Sequence, residues 1–140
     1  VEGANGGLHT NYTGKMEAAY KAITEDGNDF VYIHIEAPDE MGHQGSYERK
    51  VKAIENIDEM IVGPLVKKLD AAGEAFRMLI LPDHPTPVRL RTHTSDSIPY
   101  LLYDSSDKKG DGVLYCEENA AKTGHFEAQG HKIIEKLFKA

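Results

Sequence analysis

The sequence predicts an α/β fold, a mostly parallel sheet flanked by helices. Short apolar runs rich in β-branched and aromatic residues recur at 30–35, 77–81 and 98–103, bounded by turn-forming residues. Between and around them, apolar residues return every three or four positions, the period of a helix with one buried face. Apolar strands separated by amphipathic helices are the pattern of a layered sheet covered on its faces.

Each element has its own signals. Residues 1–12 contain Gly3, Gly6 and Gly7 among polar residues and read as loop. Met16, Ala19, Tyr20 and Ile23 predict a helix over 13–24, with Thr13 as its N-cap. Asp26-Gly27-Asn28-Asp29 ends it, and 30–35 follows as a buried strand. The strongest helix spans 46–69, where Tyr47, Val51, Ile54, Ile57, Ile61, Leu65 and Leu69 share a face. Pro64 lies inside it. Proline removes a hydrogen bond and crowds the carbonyl four residues back, so a kink is expected near Met60. Residues 71–74 form the exit turn, and 77–81 a second buried strand. In the third strand, at 98–103, Pro99 implies an edge position or a late start. A polar loop over 104–112 and a terminal helix over 127–138, with Ile133, Ile134, Leu137 and Phe138 apolar, complete the reading.

The 140 residues suit one domain with a real core, and no internal repeat or second domain is visible. Sixteen basic against 23 acidic residues leave a formal charge of −7, which disfavours a nucleic-acid partner. No apolar run approaches the roughly 20 residues that cross a bilayer, so no membrane partner is expected. The lone Cys116 forms no internal disulfide, and a cytoplasmic location is the simplest expectation. The chain opens without Met on a glycine-rich stretch, which reads as a piece of a longer protein.

The chemistry concentrates at predicted strand ends. The first strand runs into Glu36-Ala-Pro-Asp39-Glu-Met-Gly-His43, the second into Pro82-Asp83-His84-Pro85, and His93 lies in Arg91-Thr-His93-Thr94 before the third. Carboxyl ends of parallel strands are where sites of such sheets are built. Asp39, His43, Asp83, His84 and His93 form a mixed N/O donor set suited to zinc, manganese, iron or nickel, and mildly less to magnesium. Five donors exceed the three that one catalytic zinc usually takes from protein. A pair of divalent ions about 4 Å apart would use all five, and such pairs serve phosphoryl transfer. The five side chains are therefore expected to converge in one cleft. Each cluster alone also fits an ordinary solvated turn.

Taken together, Glu36-Ala-Pro-Asp39-Glu-Met-Gly-His43, Leu81-Pro-Asp-His-Pro-Thr-Pro87 and Arg91-Thr-His93-Thr94 resemble the cofactor-independent phosphoglycerate mutases of the archaeal type, in the alkaline-phosphatase-like superfamily. The resemblance extends to Lys52-Ala-Ile-Glu-Asn-Ile-Asp58 and Val62-Gly-Pro-Leu65. It implies that residues 1–140 are the C-terminal part of the metal-binding domain, without the N-terminal part and the inserted substrate domain. It assigns Asp39, His43 and His93 to one divalent ion, and Asp83 and His84 to a second that also takes an upstream Asp and the nucleophilic Ser. The implied activity is interconversion of 3-phosphoglycerate and 2-phosphoglycerate, a glycolytic reaction, through a phosphoserine. No catalytic nucleophile then lies in this chain, which alone should be inactive. A metal-dependent phosphatase of the same superfamily and a non-catalytic metal- or partner-binding module are the alternatives. The native metal, substrate contacts, oligomeric state and the roles of His34, Glu36, Arg89 and Arg91 stay open.

Overall fold

A computed structural model describes residues 1–107, 110 and 112–138. The chain divides into two compact units, one made of Val1–Glu74 with Thr86–Thr94, the other of Ala75–Pro85 with Ser95–Ala140.

The first unit is helical. Helix α1, Tyr12–Thr24, buries Tyr12, Met16 and Ala19. Its N-cap is Asn11 and not Thr13: the Asn11 side chain accepts the Gly14 N–H at 2.8 Å, satisfying one of the unpaired donors of the first turn. The long helix is three consecutive pieces: α3 at Tyr47–Ile57, a π-helical turn at Asp58–Val62, and α4 at Gly63–Ala72. Pro64 sits in the first turn of α4, where a missing N–H is tolerated. The wide π turn carries Met60, the residue whose carbonyl the proline ring would crowd in a regular helix. Ile61, Leu65 and Leu69 are buried along this stretch, and α1 packs on the π turn and α4. Gly73, with a left-handed φ of 74°, ends α4 as the sequence expects of 71–74.

Residues 37–43 depart from the loop expected there. They form helix α2, Ala37–His43, packed on α3 through buried Ala37, Met41 and Gly42. Pro38 presets the first turn, and Asp39 and Glu40 suit its positive end. Residues 30–35 also depart: they are in no strand, and the sheet among the described residues is β1 with β2. Their burial still alternates, with Val31, Ile33 and Ile35 half-buried and Phe30, Tyr32 and His34 exposed. The side chains keep the period of a strand, but a strand exists only when a neighbour takes up its backbone groups.

The second unit holds β1 at Arg77–Ile80 and β2 at Leu101–Asp104. They pair antiparallel, Arg77 opposite Asp104 and Ile80 opposite Leu101. The mixed helix-and-strand class therefore stands, while the sheet among the described residues is an antiparallel pair and not mostly parallel. No helix lies between β1 and β2 in the chain, and a parallel pair needs a crossover connection, usually helical. The strands are not buried either: β1 is half-buried, and Leu101 and Leu102 are exposed. Pro99 precedes a strand that starts late, at Leu101. The Arg77 Nε donates to Asp104 Oδ2 at 2.7 Å, and the Tyr115 hydroxyl donates to the Pro99 carbonyl at 3.1 Å. A short helix α5 occupies Glu117–Lys122. The expected helix over 127–138 is broken into a 3-10 turn at Gly130–Lys132 and helix α6 at Glu135–Phe138. Gly130, costly inside a helix, stands at the break. The loop expected at 104–112 falls partly outside the described residues.

Candidate metal centre

Helix α2 sets two donors at once. Asp39 and His43 are four residues apart, hence one turn apart on the same helical face. The His43 Nε2 lies 3.4 Å from Asp39 Oδ2. His93 arrives from the loop that follows Thr86. Its Nε2 is 3.4 Å from Asp39 Oδ1 and 3.0 Å from His43 Nε2. One donor atom from each of the three residues lies within 4.8 Å of the others.

Backbone groups orient the ring of His43. Its Nδ1 is 3.0 Å from the Arg91 carbonyl, an acceptor only, so Nδ1 is the donor there and Nε2 is the ring atom turned to the cluster. Arg91 has a left-handed backbone, φ 55°, unusual outside glycine. Its N–H donates to the Pro87 carbonyl at 3.0 Å, which closes the turn that aims the Arg91 carbonyl. Gly45, itself at φ 71°, makes room: a Cβ there would stand 2.3 Å from Arg91 Nε. Such a strained residue beside a cluster of donors is typical of functional sites.

Asp39 is held as well. The Thr86 hydroxyl donates to Asp39 Oδ1, and Thr86 is 3% exposed. Lys50 on α3 donates from Nζ to the Thr86 carbonyl at 2.6 Å. Gly42 lets this segment close in, because a Cβ there would meet the Thr86 carbonyl oxygen at 2.6 Å.

The donor chemistry suits a divalent ion. Bonds of about 2.0–2.2 Å from a tetrahedral ion place its donor atoms roughly 3.3–3.6 Å apart, close to the spacing of these three. Two imidazole Nε2 atoms 3.0 Å apart, facing one carboxylate, share a focus that a cation satisfies. Three protein donors also leave coordination positions open to a substrate.

The other two candidates form a pair in the second unit. Asp83 and His84 lie in the loop after β1, where the His84 N–H donates to Asp83 Oδ1 at 3.0 Å and His84 Nε2 is 3.4 Å from Asp83 Oδ2. His34 Nε2 and Glu36 Oε1 face each other at 3.5 Å. Arg89 is exposed, and Arg91 serves through its carbonyl. Sequence reasoning misses Thr86, Lys50, Gly42 and Gly45. Thr86 does sit inside the quoted Leu81-Pro-Asp-His-Pro-Thr-Pro87 run, between two prolines that stiffen it.

A helix-borne Asp and His closed by a loop His form a donor set of the kind metal-binding proteins use. The family model of the Metalloenzyme superfamily matches residues 1–139, and the chain belongs to that superfamily. It is similar to the 2,3-bisphosphoglycerate-independent phosphoglycerate mutase of Methanosarcina acetivorans, 49% identical over 124 residues, covering 89% of this chain and 31% of that protein. A probable enzyme of the same name from Geobacter sulfurreducens is 44% identical over 138 residues, covering 98% of this chain and 34% of that protein. A solved structure from Pyrococcus horikoshii superposes with a TM-score of 0.85 at 29% identity, over 97% of this chain and 40% of that one. The chain thus spans about a third of the length of the curated relatives it matches.

Proposed function

We propose that these residues are the C-terminal part of the metal-binding domain of a cofactor-independent phosphoglycerate mutase, an isomerase that interconverts 3-phosphoglycerate and 2-phosphoglycerate. One observation carries the proposal: Asp39, His43 and His93 converge within 4.8 Å in a chain whose curated relatives bear that name. Asp39, His43 and His93 hold one divalent ion, and Asp83 and His84 supply donors to a second. The imidazole-rich set favours manganese or zinc over magnesium. When bound, such ions supply positive charge to the oxygens of the transferring phosphoryl group.

The chain's own residues do the holding. Asp39 supplies a full negative charge from a helix whose first turn favours anions. The His43 Nδ1 is taken up by the Arg91 carbonyl, which leaves Nε2 as the ring atom turned to the cluster. The donors are set on a helix and a hydrogen-bonded turn, so little reorganisation accompanies phosphoryl transfer. The acceptor serine and the groups that grip the glycerate come from outside these 140 residues in this proposal. That serine takes the phosphoryl group from one glycerate oxygen and returns it to the other. No helix among the described residues is long and apolar enough to cross a membrane. With one cysteine and a charge of −7, the protein is proposed to work in the cytoplasm, on a small phosphorylated acid and not on nucleic acid.

The test uses the full-length protein, freed of metal by chelation and reloaded with manganese or zinc. Conversion of 3-phosphoglycerate to 2-phosphoglycerate should vanish on chelation and return on loading. His93→Ala should lower kcat/KM by at least about 100-fold, the upper range for disturbing a ligand's support alone. Release of free phosphate without 2-phosphoglycerate would point instead to a phosphatase, and metal binding without turnover on any ester to a binding module.

A further inference from the structure

We propose that Thr86, seated by Lys50 and Gly42, is a positioning residue that sets how tightly the Asp39–His43–His93 cluster holds a divalent ion. The inference rests on the metal-binding reading above. A carboxylate can rotate about its last bond, and only one rotation presents one oxygen to each histidine. Asp39 meets that condition, with Oδ1 toward His93 and Oδ2 toward His43, each at 3.4 Å. The Thr86 hydroxyl donates to Oδ1 and so selects this rotation.

The hydroxyl is itself delivered by a fixed frame. Pro85 and Pro87 flank Thr86 and restrict its backbone. Thr86 is 3% exposed, so water does not compete freely for the hydrogen bond. Its carbonyl receives Lys50 Nζ at 2.6 Å and rests over Gly42, where a Cβ would collide with it at 2.6 Å. The frame therefore spans α2, α3 and the loop that carries His93. Loss of the hydroxyl removes the hydrogen bond that fixes Oδ1 in this rotation and so loosens the common focus of the three donors. Hydrogen bonds to ligating carboxylates act this way in general, and losing one costs metal affinity about 10–100-fold.

The test compares Thr86→Val, which keeps the shape and loses the hydroxyl, with Thr86→Ser, which keeps the hydroxyl. The full-length protein is stripped of metal and titrated with manganese(II), and in parallel with cobalt(II), whose visible absorption reports the donor set. T86V should weaken manganese binding by about 10–100-fold and alter the cobalt spectrum, while T86S should match the native protein in both. Lys50→Met should weaken binding in the same direction, and it carries the test should T86V fail to fold. Native-strength binding by T86V, or by K50M in its place, overturns the proposal. So does a T86S protein as weak as T86V, which would assign the effect to the lost methyl group. His93→Ala separates the two claims. Native-strength manganese binding by H93A sinks the metal-binding reading itself, whereas its loss in H93A with no change in T86V removes only the role of Thr86.

Discussion

Arg91 shows how a single backbone conformation serves a side chain elsewhere. Its left-handed φ of 55° points a carbonyl at His43 Nδ1, and Gly45 leaves the space its guanidinium needs. Gly45→Ala should therefore cost twice, through a positive φ of 71° and through a Cβ 2.3 Å from Arg91 Nε. The conformational part alone is about 1–2 kcal/mol, read as a lower denaturation midpoint at unchanged slope. Unchanged stability would mean that the turn relaxes freely. Asp104 makes a second case at this scale. Hydrogen bonds from the Ser106 hydroxyl, then from Arg77, then from the Ser106 N–H hold its carboxyl down from 3.8 to about 2. Its contribution to stability is complete above pH 3.8 and is lost as pH falls through about 2, because the unfolded chain takes up the proton first. Asp104→Asn should flatten the acid side of the thermal-stability profile over that window, and an identical acid limb in both proteins would discount the carboxylate. Asp39, His43 and His93 are legible in sequence because their side chains are themselves the donors. The Arg91 carbonyl is not, since every residue has one and only the turn selects it.

At the scale of elements, periodicity is legible and pairing is not. The stripe from Tyr47 to Leu69 marks its helix, and Pro64 marks where it is interrupted, because both are local steric facts. The π turn itself is a compromise between proline geometry and the packing of Ile61 against its neighbours, and no residue spells it out. Helix α2 is only seven residues long and carries Pro38 and Gly42, which also mark turns. Its formation depends on the burial of Met41 beside α3, a tertiary fact. Residues 30–35 show the converse. Their side-chain alternation is written in sequence, but they are in no strand among the described residues. Leu69 tests the helical packing. It is 1% exposed on α4, and α4 lies against α1. Leu69→Ala should destabilise by about 2–5 kcal/mol, checked by denaturant unfolding of the full-length protein. A loss near zero would mean that the helices close over the gap.

At the scale of the whole molecule, the described residues carry a donor cluster and its supports, while the proposed reaction needs more than donors. Phosphoryl transfer through the enzyme needs a nucleophile held in line with the phosphorus, and a grip on the glycerate that survives the transfer. Ser46, Ser95, Ser97, Ser105 and Ser106 are the serines available here. The Ser106 hydroxyl is committed to Asp104, and Ser105 accepts from the Phe76 N–H. The chain spans about a third of its curated relatives, and as proposed it carries the ion-holding side chains while the group they serve lies outside it. Residues 1–140 expressed alone should bind manganese more weakly than the full-length protein, because donors to the second ion are missing, and should convert no 3-phosphoglycerate. The two proteins are to be loaded with manganese at equal concentration and followed for 2-phosphoglycerate and for free phosphate. The full-length protein should turn over and the 140-residue chain should not, while His93→Ala in each should weaken manganese binding by removing one donor of the Asp39–His43–His93 cluster. Comparable rates from both would place a competent nucleophile within these residues and overturn the division of labour proposed here.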